Sequence, residues 1–134
     1  MTQESLKEGI SQVIISLEKE ALEKWNNGNP DGFLDLSDED VVYFDPFLEQ
    51  KLEGWEQLKA HYEPLRGQAQ VNWSEMIRPT VQSTGDMAVL TFNYNCSTLA
   101  GEHYHWNCTE VYRCNPANEW KIIQTHWSLV KPLG

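Results

Sequence analysis

The spacing of apolar residues changes once along this chain, near residue 68, and that change limits the folds open to it. Before it, Leu6, Ile10, Val13, Ile14, Leu17, Ala21 and Trp25 recur at helical spacing. Glu18, Lys19, Glu20, Glu23 and Lys24 fall mostly on the other side of that helix. Ser5 followed by Glu8 has the form of a capping box that opens it. Asn27-Gly28-Asn29-Pro30 stops it, and Asp31 is placed to cap a short second helix carrying Phe33, Leu34 and Leu36. Val41–Phe44 reads as a strand ended by Asp45-Pro46, because proline forces its predecessor into extended geometry. A short strand near Gln50–Glu53, a break at Gly54 and a third helix through Trp55, Leu58, Ala60 and Tyr62 follow. Beyond residue 68 the period becomes two. Residues 69–80, 87–98, 103–114 and 119–130 read as four long strands rich in Val, Ile, Thr, Tyr and Trp. Short turns at Ser83–Asp86, Ala100–Glu102 and Asn115–Asn118 join them into an antiparallel meander.

Helices first and strands second predict an α+β fold with helices on one face of one sheet. A chain of 134 residues is the size of one domain, and no linker or repeat divides residues 1–134. A long twisted antiparallel sheet curls, so the expected shape is a curved sheet wrapped around the N-terminal helices, a cone with a pocket.

Charge and aromatic content divide along the same line. Residues 1–67 carry 15 acidic and 6 basic side chains, residues 68–134 only 5 and 4, giving a formal net charge of −10. The acidic half supplies a solvated helical exterior. The near-neutral half holds Trp73, Trp106, Trp120 and Trp127, the aromatic wall of the sheet. No run of basic residues marks a phosphate-backbone or anionic-membrane surface, so nucleic acid and membrane are not expected partners. No apolar segment is long enough to span a bilayer and no basic-then-apolar leader is present, which predicts a cytoplasmic protein. Cys96, Cys108 and Cys114, without a CxxC spacing, read as thiols on strands rather than a disulfide or zinc framework. Aromatic residues at both parities of the strands predict a homodimer through the sheet.

His103-x-His105 followed by Glu110, with His126 on the next strand, matches on paper the first metal motif of the cupins. In an unbroken strand, however, His103 and His105 share one face and Glu110 points to the other, so no metal site is expected. Phosphate loops, nucleophile elbows and Ser-His-Asp orderings do not occur, which sets aside nucleotide and acyl-transfer chemistry.

The stretch Asp45-Pro46-Phe47, Leu52-Glu53-Gly54 and Trp55–Tyr62 resembles the ketosteroid isomerases. So do the upstream turn Gly28-Asn29-Pro30-Asp31-Gly32, the strand Glu110-Val111-Tyr112-Arg113 and the closing His126-Trp127-Ser128. The likeness extends to the wider nuclear transport factor-like superfamily, with its SnoaL-like cyclases and the association domain of calmodulin-dependent kinase. It implies the cystatin-like cone and a site that works without cofactor or metal. Asp45 takes the place of the general base, and Glu110 that of a neutral carboxylic acid donating to an enolate oxygen, an arrangement known from that isomerase. Tyr43, Phe47, Tyr62, Trp106, His126 and Trp127 become the ligand-binding wall for a small hydrophobic molecule.

Two departures stand out. Glu110 reaches one methylene further than the family's Asp, and Ala21 occupies the position of a tyrosine donor. Loss of one oxyanion donor costs roughly 10²–10³ in rate, so steroid isomerisation itself is not expected. The resemblance leaves two functions: a cofactor-free isomerase or lyase acting through Asp45, and a non-catalytic dimeric ligand-binding or association module. Read without the resemblance, Asp45 is a turn residue bonding local backbone, and Glu110 pairs with Arg113 or Arg78.

Overall fold

The computed structural model describes residues 3–68 and 71–130. Three helices, α1 (Gln3–Asn26), α2 (Asp31–Leu36) and α3 (Trp55–Tyr62), pack on one face of a six-stranded sheet. The strands are β1 (Ser37–Phe44), β2 (Leu52–Glu53), β3 (Val71–Thr84), β4 (Met87–Thr98), β5 (His103–Cys114) and β6 (Trp120–Leu129). A 3-10 turn at Glu63–Leu65 follows α3, where Pro64 ends the α-helical hydrogen bonding.

The strand order is β2-β1-β6-β5-β4-β3, so the sheet is curved and unclosed. The meander β3 to β6 is antiparallel throughout, as the turn spacing predicts. β1 lies parallel to β6, a pairing between segments some 80 residues apart that local periodicity cannot specify. Curvature has local causes. Register shifts interrupt β3 between Ile77 and Thr80, where Arg78 holds a positive φ of 47° ahead of Pro79, and again at Val111/Tyr112 against β6. Each extra residue bends its strand and increases the twist.

Helix starts and stops differ slightly from the sequence reading. α1 already runs from Gln3, so Ser5 and Glu8 lie within its first turns rather than flanking it. At its end Gly28, with φ 83°, donates its N–H to the Trp25 carbonyl and reverses the chain. The side chain of Asn29, not Asp31, then accepts the Asp31 N–H at 3.0 Å and starts α2.

The core lies between the helices and the concave face. Ile14, Ala21 and Leu22 of α1 meet Ala88, Leu90 and Phe92 of β4, Cys108 and Tyr112 of β5 and Ile122 of β6. Strand alternation places Phe92, Tyr94, Trp106, Tyr112 and Trp127 inward. Aromatic side chains occupy the outer face only at its flanks, Phe44 on β1 and the half-exposed Trp73 on β3. Between them the outward positions of β4 to β6 carry Asn93, Asn95, His103, His105, Asn107, Thr109 and His126. The outer face is thus an amide- and histidine-rich surface rather than the aromatic one expected.

One assignment on α1 reverses. Glu18 belongs to the buried face, with none of its surface exposed.

Candidate functional site

The open end of the cone is a cavity of about 520 Å³. Leu22, Trp25 and Asn26 of α1 form one side of it. Tyr94, Trp106 and Trp127 of the sheet form the other. Trp127 meets Phe92, Tyr94 and Trp106 edge to face at 5.7–6.1 Å, which fixes the sheet-side rings against one another. On the helical side Trp25 lies 4.9 Å from the Tyr62 ring, which in turn meets Tyr43 at 5.5 Å. Asn26 Nδ2 donates to the Tyr94 hydroxyl at 2.7 Å and ties the end of α1 to β4 across the cavity. Phe47 stands 71% exposed at the mouth, 6.2 Å from Trp106. Among the described residues that line it, none is Lys, Arg or His.

Asp45 directly follows β1 and lines this cavity with a side chain only 8% exposed. Three donors hold it. The Tyr43 hydroxyl donates to Oδ2 at 2.9 Å, the Phe47 N–H donates to Oδ1 at 2.8 Å, and His61 Nε2 lies 2.9 Å from Oδ2. The Phe47 contact is the local turn bond expected of an Asp before proline, but the other two reach it from β1 and α3. His61 sits one residue before Tyr62 on α3 and does not line the cavity, so it supports Asp45 from behind. Burial pushes the Tyr43 and Tyr62 hydroxyls well above their ordinary value of 10.0, and the neighbouring carboxylates add to this, so both remain donors.

Of the residues expected to form the site, Asp45, Tyr43, Phe47, Tyr62, Trp106 and Trp127 come together around the cavity. His126 does not. It is exposed on the outer face and stacks on Phe44 at 4.8 Å, because it alternates with the inward Trp127. Glu110 is also absent from the cavity wall. It lies behind it, with none of its surface exposed, facing Glu18 of α1. Tyr112 donates to Glu18 Oε1 at 2.7 Å, while Glu18 Oε2 and both Glu110 oxygens have no hydrogen-bond partner among the described residues. Desolvation raises both carboxyls, Glu110 the more strongly, and the charge of Glu18 adds to the effect at Glu110. The ion pair of Glu110 with Arg113 or Arg78 does not form: Arg113 bonds Asp38 and Asp40 across to β1.

Ala21 also reads differently in three dimensions. A Cβ on Gly32 would stand 3.0 Å from the Ala21 Cα, so position 21 backs onto α2 and offers no route into the cavity. The α1 residues that do face it are Leu22, Trp25 and Asn26. His103 and His105 point outward and Glu110 inward, as strand parity requires. Among the described residues, the potential metal-ligating groups that converge are instead Glu18, Cys108 and Glu110, within 4.8 Å of one another.

Residues 19–122 match the model of the SnoaL-like domain family. A candidate ketosteroid isomerase from Parabacteroides distasonis is 54% identical, over 93% of this chain and 91% of that one, with a TM-score of 0.83. An NTF2-like protein of unknown function from Pseudomonas putida KT2440 is 22% identical over 93% and 89%, TM-score 0.82. The CaMKII hub of S. rosetta is 20% identical over 89% and 95%, TM-score 0.70. These last two share the fold. A search of the curated proteins returns no match. No helix among the described residues is long and apolar enough to cross a membrane.

Proposed function

The chain belongs to the SnoaL-like family, and from that premise we propose that residues 1–134 act as one domain that moves a proton on a small hydrophobic substrate without a cofactor. The observation that carries this reading is Asp45: a carboxyl in the wall of a largely apolar cavity, held in one orientation by Tyr43, His61 and the Phe47 N–H. A fixed carboxylate beside an apolar ligand is the arrangement general-base catalysis needs. Asp45 takes a proton from carbon next to a carbonyl and returns it to another position, giving an isomerase or lyase-type reaction. The acid role expected of Glu110 passes to the Tyr62 hydroxyl, which lines the cavity while Glu110 does not. With no Lys, Arg or His among the described lining residues, the wall offers no partner to a phosphate or carboxylate, so the ligand is not an anion. Three unpaired thiols fit a cytoplasmic location.

The test uses a panel of uncharged cyclic ketones with acidic C–H bonds, incubated with the protein in D2O. Wild type is expected to exchange the acidic position, and Asp45→Asn to slow exchange by about 10²–10⁴-fold with an unchanged circular dichroism spectrum. If both match buffer on every compound while a hydrophobic fluorophore still fills the cavity, the enzymatic reading fails.

That outcome would favour the second reading, a dimeric ligand-binding or association module. Its support is the uncovered outer face, where Val89 pairs with Val111 beside hydrogen bonds from Asn93 to Asn107 and from Asn107 to Ser128. Sedimentation should show a homodimer at micromolar concentration; a monomer there removes the pairing surface from either reading.

A further inference from the structure

The buried carboxyl pair beneath the cavity is unused by the mechanism above. Glu18 projects from α1 and Glu110 from β5, and neither exposes any surface. The groups that face them are Tyr112 and Cys108 of β5, Tyr62 of α3 and, across the β5–β6 ladder, Thr125. None of these is a base; the Tyr112 hydroxyl donates to Glu18 Oε1, and the Thr125 hydroxyl lies on the Glu110 side, where it opposes the upward shift without overcoming burial. Among the described residues, three of the four carboxyl oxygens have no hydrogen-bond partner. Two ionised carboxylates would face each other with no donor between them, in a site with no compensating charge, which is strongly disfavoured. One proton between them supplies the missing hydrogen bond and removes half the charge.

We propose that Glu18 and Glu110 share a proton across α1 and β5, and that this proton is a latch holding the helix to the sheet. While it is present the two side chains are bonded. Once it is lost, two like charges face each other in a dry site and α1 is driven from the sheet. Leu22, Trp25 and Asn26, one and two turns further along the same helix, line the cavity, so release of the latch loosens the ligand wall. The device is independent of the catalytic reading, since it needs no substrate.

The direction of its pH dependence follows from linkage. The folded pair keeps a proton that an unfolded glutamate releases near 4.5. Its contribution to stability is therefore complete below that value and declines as pH rises through the raised folded range.

Thermal unfolding of wild type, Glu18→Gln and Glu110→Gln between about pH 6 and pH 9 tests this. A glutamine amide supplies the bridging donor without a titrating proton. Wild type should lose on the order of 5 °C across the range, and the two variants should show a flatter profile. A hydrophobic fluorophore should leave the wild-type cavity at the alkaline end and remain in the variants. Infrared spectra of wild type in D2O should show the C=O stretch of a protonated carboxylic acid at neutral pH, and this readout decides the matter if both variants fail to fold. Parallel unfolding profiles, absence of that band, or a stoichiometric metal ion bound by Glu18, Cys108 and Glu110 would each overturn the proposal.

Discussion

Asp45, one residue beyond β1, and Glu110, within β5, are both inward-facing carboxyls of one cone, yet their surroundings differ in kind. Asp45 stands at the end of β1, where the chain turns at Pro46, and receives a phenol, a backbone N–H and an imidazole. Glu110 stands mid-strand between Leu90 of β4 and Thr125 of β6, deep under α1, and meets another carboxyl. A strand end can recruit donors from loops and a neighbouring helix. A strand centre is surrounded by backbone already engaged in the ladder, so its side chain depends on what the facing helix brings. Here α1 brings Glu18. Position along the strand, rather than residue type, decides which carboxyl remains available to a ligand.

This contrast can be broken at graded points. The largest stability effect is expected at Glu18→Ala, which leaves a cavity, orphans the Tyr112 hydroxyl and deprives Glu110 of its partner. Such losses amount to about 3 kcal/mol, measurable by urea unfolding. A variant as stable as wild type would show that the pair contributes nothing to the fold. The paired tyrosines sharpen the comparison further. Tyr112→Phe removes the donor to Glu18 Oε1 and should cost about 1–2 kcal/mol. Tyr43→Phe leaves Asp45 with two other donors and should cost less, about 0.5–1 kcal/mol, while lowering the exchange rate. Equal destabilisation by the two, read in the same denaturant titration, would erase the difference between the sites.

Much of this architecture was legible because its causes are local. Three strands of the meander fall within one residue of the limits set by two-residue alternation and by the turns at Gly85, Gly101 and Asn115–Asn118, while β3 runs on to Thr84, four residues past its expected end. Inward placement of Trp106 and Trp127 follows from the same alternation. His126 illustrates the limit of reasoning by likeness: next to Trp127 it must face the other way, whatever residue pattern surrounds it. Glu18 was illegible for a different reason. Its spacing from Ile14, Ala21 and Trp25 puts it on the apolar face, but its charge and its neighbours Lys19, Glu20 and Glu23 read as solvent-facing, and the partner that accepts its burial, Tyr112, is 94 residues away. His61 carried no periodic signal, since its role arises only when α3 docks beside the end of β1. The register of β1 on β6 is long-range in the same sense.

The Arg78-Pro79 bulge, described above as a cause of curvature, has a second consequence. β3 is the longer of the two edge strands, 14 residues against two for β2, and an uninterrupted edge of that length would template pairing with other chains. Pro79 withholds a backbone donor in the middle of it, and the positive φ at Arg78 breaks the flat run on either side. The residue pair that shapes the cone therefore also protects the protein from edge-to-edge aggregation.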